Sequence, residues 1–153
     1  VQVPDASVHD VVTMASIVQR EAALVSEMPQ IAGVFWNRLK PENLPTFGGG
    51  LLGADATVQY ALGFSAQENS WWRRNLTATD LQDPSPYNTR ATPGLPPGPI
   101  AAPSLAALTA TAQPDDESGY VFFVADCAKD GSHNFARTIE EFSQFEAEWL
   151  ACQ

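Results

Sequence analysis

The chain has 153 residues, 44% hydrophobic and 17% charged, which suits one globular domain with a sizeable core. Eighteen acidic against eight basic residues give a formal charge of −10, which argues against a nucleic-acid partner, since such binding draws on clustered Lys and Arg. No apolar run approaches the roughly 20 residues of a membrane span, and no basic stretch followed by an apolar one marks a signal peptide. Beginning at Val1 rather than Met, the sequence reads as an excised or processed domain whose anchor, if the parent has one, is left out.

Residues 5–24 read as a first helix, with Asp5 or Ser7 to cap it. Val8, Val11, Val12, Ala15, Val18 and Ala22 form its apolar face, and Met14, Ile17 and Glu21 form a second row beside that face. A second helix is expected at about 27–40, with Ser26 as cap, Pro29 in the first turn, and Ile31, Val34, Phe35 and Leu39 inward. Pro41 ends it. Residues 41–54 have the composition of a flexible loop. Asp55 then caps a short helix to Leu62, which Gly63 terminates, and a helical turn is expected around "TATDLQ".

Seven of the twelve prolines lie between Asp83 and Pro103, so this run is neither a central strand nor a helix interior. Proline stiffens a loop without regular hydrogen bonding, and a loop this long in a small domain is often functional. A helix is expected from Pro103 to Ala112. "GYVFFVAD" is the best strand, with "CAKDGSHNFAR" as its turn and return. Thr138 and Glu141 have capping-box spacing before a final helix with Phe142, Phe145 and Trp149 inward. Helices flanking a small antiparallel sheet make the class α+β, here in one domain over residues 1–153.

Several residues can carry chemistry, each with a plainer explanation beside it. Glu21 borders apolar groups, a setting that disfavours the carboxylate and suits a general acid, although most glutamates at such a boundary are solvated. Glu27 and Asp55 have bland readings as acids at helix starts. Tyr87 and Asn88 of "SPYNT" pair an aromatic with an amide, which suits sugar hydroxyls and acetamido groups or a side-chain-stabilised turn. A histidine such as His133 in a hairpin is more often a structural hydrogen-bonder than a catalyst, and Arg73-Arg74 after Trp71-Trp72 reads first as an exposed loop and second as a stacking platform. Cys127 and Cys152 lack metal-ligand spacing and are two thiols or one disulfide. No phosphate loop, nucleophile elbow or metal motif is present, so no cofactor or metal is expected.

Taken in order, "ASIVQRE", "SEMPQIAGVFWNRL", "DATVQYALG", "SPYNTRATPGLPPGPIAAPSLAAL", "YVFFVA" and "GSHNFA" resemble the catalytic domain of the MltG (YceG-like) family, bacterial endolytic murein transglycosylases. The likeness runs over roughly residues 13–150, and "SPYNT" with "GLPPGPI" is its specific part. By that resemblance Glu21 matches the family's catalytic glutamate, the second acid of "EKE", with Gln19 in place of the first. Glu27 matches a further acid of the pattern, and "NRL" matches Asn37 to Leu39. Asp55, Thr57 and Val58 match the family's "DPTV", with Ala56 where the family has proline. Gly53 and Ala54 replace a Gln and a small polar residue, and the loop around Gly48 to Gly50 is several residues longer than usual.

The resemblance implies a lytic transglycosylase that cuts peptidoglycan glycan strands and leaves 1,6-anhydro-muramic acid ends. Glu21 would act as acid and then base, with Glu27, Asp55, Thr57, Gln59, Tyr87, Asn88 and His133 toward substrate and the Pro-rich loop as one wall of the cleft. It further implies an extracytoplasmic setting in the cell envelope, cell-wall synthases as partners, and membrane attachment only through a segment outside this sequence. Such a setting permits a Cys127–Cys152 disulfide. Two alternatives remain open: a hydrolytic muramidase with the same site, and a non-catalytic glycan-binding or scaffolding module, to which the departures at Gly53 to Ala56 lend weight.

Overall fold

A computed structural model describes residues 5–153. Helix α1 spans Val8–Glu21 and is opened by a capping box: Ser7 Oγ accepts from the Asp10 N–H at 3.2 Å, and the Asp10 carboxylate accepts from the Ser7 N–H at 2.9 Å. The expected apolar face needs correction. Val8 is exposed, whereas Met14 and Ile17 of the second row are completely buried, as are Thr13 and Ser16. Helices α2 (Met28–Arg38), α3 (Asp55–Leu62) and α4 (Leu105–Ala112) all pack on α1, so its middle is enclosed on every side and one stripe cannot describe it. The helix also ends three residues early, at Glu21, because Ala22 turns to extended backbone.

A 3₁₀ turn at Val25–Glu27 leads into α2, so Ser26 is not its cap; Glu27 takes that position with its side chain turned elsewhere. Pro29 sits in the first turn, where its missing N–H has no helical partner to lose. Ile31, Val34 and Phe35 are buried, Leu39 partly so, and the Trp36 indole donates to the Thr111 carbonyl at 3.1 Å, locking α2 to α4. Asp55 is the first residue of α3 and caps nothing, since Ala54 holds the cap position. Gly63 ends α3 with φ 69, a left-handed value that glycine reaches without strain.

The Pro-rich segment is a buttress. Its Ile100 N–H donates to the buried Ser16 hydroxyl on α1 at 2.9 Å, and its Thr89 holds the chain that enters α3. A 3₁₀ turn at Asp80–Gln82 precedes it, and α4 follows with Ser104, not Pro103, at the boundary: Ser104 Oγ accepts from the Ala107 N–H. Strands β1 (Phe122–Ala125) and β2 (His133–Ala136) pair antiparallel from Phe122↔Ala136 to Ala125↔His133, with Cys127 to Ser132 as the turn. Helix α5 (Ile139–Ala151), capped by Thr138, lies on the sheet through half-buried Phe142, Phe145 and Trp149. A Cys127–Cys152 disulfide ties its end to the β1–β2 turn. Among the described residues, five α-helices and a two-stranded sheet make an α+β fold, and none of these helices is long and apolar enough to cross a membrane.

Candidate active site

Glu21 is the last residue of α1, and its carboxyl is packed around by protein although the residue as a whole is half-buried. It faces a cavity of about 610 Å³. One wall is the loop from Thr46 to Asp55; the other is Phe122 to Ala125 with Phe142 and Trp149 of α5; Phe35 and Arg38 of α2 lie at the base. A second lobe of about 370 Å³ shares Glu21, Ala125, His133 and Trp149, so the carboxyl stands where two lobes meet.

Burial pushes the Glu21 pKa above the ordinary carboxylate value, and the Asp55 charge adds to that effect. Three features oppose it: the Ala56 N–H, donating to Glu21 Oε1 at 3.2 Å, then Arg90 and then His133. The C-terminal end of α1 also disfavours negative charge, while the N-terminal end of α3, which supplies the Ala56 N–H, favours it. A proton is therefore easily held on Glu21 and, once given up, leaves a carboxylate with a fixed donor.

The expected site residues separate into two groups. Asp55 and His133 line the cavity with Glu21. Asp55 pairs with the Arg90 guanidinium, and His133 is gripped by Glu27, whose two oxygens accept from the His133 N–H at 3.0 Å and contact its Nδ1 at 2.7 Å. Glu27 thus touches His133, which lines the cavity, and is not itself part of the lining.

Tyr87, Asn88, Thr57 and Gln59 are not brought to the cavity. Asn88 is completely buried and its amide donates to the Leu81 and Asp83 carbonyls, which corrects the expectation that it meets a sugar. Tyr87 lies against Tyr60, with ring centroids 4.9 Å apart. Thr57 is completely buried, bonded to the Ala54 carbonyl and to Thr89 Oγ1, and Gln59 donates to the Arg73 carbonyl. The Pro-rich segment contributes Arg90 alone to the cavity, so it supports the wall instead of forming it: its Thr89 hydroxyl accepts from the Ala54 N–H and its Ile100 N–H donates to Ser16 on α1.

Arg38, Arg90 and the aromatic floor were not assigned roles from the sequence. Arg38 donates to the Val121 and Leu52 carbonyls and lies over the Phe47 ring, with burial bringing its guanidinium down to about 10, still cationic at neutral pH. The matched "NRL" run, Asn37 to Leu39, was the available signal for Arg38. Among the described residues no group of three or more His, Cys, Asp or Glu is placed to hold a metal ion.

Comparison with known proteins agrees with this arrangement of elements. A YceG-like protein of Listeria monocytogenes, known from a 2.6 Å crystal structure, superposes with a TM-score of 0.73 at 36% identity, over 90% of this chain and 40% of that one. The endolytic murein transglycosylase of Bacillus subtilis is 34% identical over 145 residues, 95% of this chain and 36% of the relative. That of Streptococcus pneumoniae D39 is 33% identical over 142 residues, 93% of this chain. The chain spans about a third and about a quarter of the lengths of these two relatives. The YceG-like family profile matches residues 1–148, and the chain belongs to that family.

Proposed function

We propose that this domain is a lytic transglycosylase that cuts peptidoglycan glycan strands internally, with Glu21 as its acid and base. The observation that carries the reading is a carboxyl of raised pKa at the meeting of two cavity lobes, on a domain similar to proteins named endolytic murein transglycosylase. A strand threaded through both lobes presents an internal bond to Glu21. In its protonated form Glu21 gives a proton to the glycosidic oxygen as the bond to C1 of the muramic acid breaks. The sugar's own C6 hydroxyl then attacks C1 and returns its proton to the Glu21 carboxylate, closing a 1,6-anhydro ring. No water is consumed, so no second carboxylate is needed to activate one. Acid–base help of this kind is worth about 10²–10⁴-fold.

Asp55 is the other cavity carboxylate, and it pairs with the Arg90 guanidinium. It is also what favours a second reading, a muramidase in which Asp55 activates water. Digestion of purified murein strands in water labelled with heavy oxygen separates the two. The transglycosylase leaves new muramic acid ends without label, and label at C1 of every new muramic acid end would establish hydrolysis and sink the first reading. A peptidoglycan substrate places the domain outside the cytoplasm, in the cell envelope. There its partners are the glycan strands and the cell-wall synthases that extend them, with membrane attachment through a segment outside this sequence.

A further inference from the structure

The Ala56 N–H, 3.2 Å from Glu21 Oε1, belongs to the first turn of α3, where backbone donors have no partner inside the helix. Its position is set by a buried frame. The Gly53 N–H donates to the Thr89 carbonyl at 3.0 Å, the Ala54 N–H to Thr89 Oγ1 at 3.1 Å, and the Thr57 hydroxyl to the Ala54 carbonyl at 2.6 Å. Ala56, Thr57 and Thr89 are all buried. The other groups acting on Glu21 are charged or ionisable: Asp55 from α3, Arg90 from the Pro-rich segment, His133 from β2 and Arg38 from α2. Ala56 alone offers it a directed backbone donor among the described residues.

We propose that the Ala56 backbone N–H is a positioning group for the reaction: it aims the Glu21 carboxyl and stabilises the carboxylate that exists between proton donation and proton return. This rests on the Glu21 reading above. The bond strengthens when Glu21 loses its proton, because a charged acceptor roughly doubles the strength of such a bond. Its presence depends on residue 56 having an N–H at all. The proline that the family pattern carries there has none, so this chain holds its acid by a contact that a proline at the same place cannot make.

The test compares Ala56→Pro, which removes the donor at a helix start that tolerates proline, with Ala56→Gly, which keeps it. The Glu21 carboxyl is titrated by carbon NMR without substrate, and cleavage of purified murein strands is followed against pH. Ala56→Pro is expected to move the carboxyl titration and the alkaline limb of kcat/KM to higher pH, and to lower kcat about tenfold. Ala56→Gly is expected to titrate as the wild type. A folded Ala56→Pro with unchanged titration overturns the proposal, as does an equal change in both variants. If Ala56→Pro does not fold, the wild-type Ala56 amide proton decides. Its chemical shift should follow the Glu21 titration and lose that dependence in Glu21→Gln; an amide that ignores the titration overturns the proposal. A moved titration combined with full cleavage by Glu21→Gln counts against the catalytic reading and leaves the N–H contact standing.

Discussion

Glu21 stands between the negative end of α1 and the positive end of α3, and the balance of its surroundings favours the protonated carboxyl. A carboxyl whose pKa is higher in the folded than in the unfolded chain costs nothing below its unfolded value. Its cost to stability then grows as pH rises toward the folded value. Glu21→Gln is therefore expected to melt at higher temperature than the wild type at neutral pH, with the difference closing below about pH 4. Melts across that pH range check it, and an equal or lower melting point at neutral pH contradicts it. Glu27 is held by a single buried partner. It and His133 are both largely buried, and Glu27→Ala strands the His133 N–H and ring. A loss of about 2–3 kcal/mol in chemical denaturation is expected, with slower cleavage by whatever folds. The sequence marks the partly apolar setting of Glu21 through Met14 and Ile17, whereas the Glu27–His133 contact is not marked, since its partner lies 106 residues away.

At the level of elements, the cavity depends on how firmly its two walls are held. No residue of α5 is fully buried, so that wall rests on half-buried aromatics, such as the Phe122–Phe142 stack at 5.1 Å, and on the disulfide. Cys127→Ser with Cys152→Ser opens a loop of 25 residues and should lower stability by about 3–4 kcal/mol in the chain-entropy model. Thiol titration of the unreduced, denatured wild type tests the bond itself: two free thiols would refute it. The base of the cavity depends on α2, whose Gly33 lies so close to the Asp115 carbonyl that an added Cβ would fall 2.1 Å from its oxygen. Gly33→Ala must displace backbone, and a loss of at least about 3 kcal/mol is expected by denaturant titration. The sequence marks helix and strand runs by period, and these lie close to where period puts them. It does not mark which elements share a helix face, so α1 read as a one-sided helix although three helices cover it. Composition marks the Pro-rich segment as one without regular hydrogen bonding, but it does not say which way such a loop turns. Its Asn88 and Thr89 side chains face inward to hold backbone, and Arg90 alone turns to the cavity.

For the whole molecule, a chain of net charge −10 gathers Arg38, Arg90 and His133 around one carboxyl pair, Glu21 and Asp55. Arg90 and His133 favour the Glu21 carboxylate, while burial and Asp55 favour its protonated form. The family was readable from the order of the motifs, and within it the position of Glu21. The walls were not, because Phe47, Phe122, Phe123 and Phe142 come from three separate segments that only the fold assembles. The central claim is that Glu21 moves the proton that cuts the strand and closes the ring. Mass spectrometry of purified murein strands digested in parallel by the wild type and by folded Glu21→Gln tests it most directly. The account predicts 1,6-anhydro ends from the wild type and none above background from the variant; anhydro ends from Glu21→Gln at near the wild-type rate would contradict it.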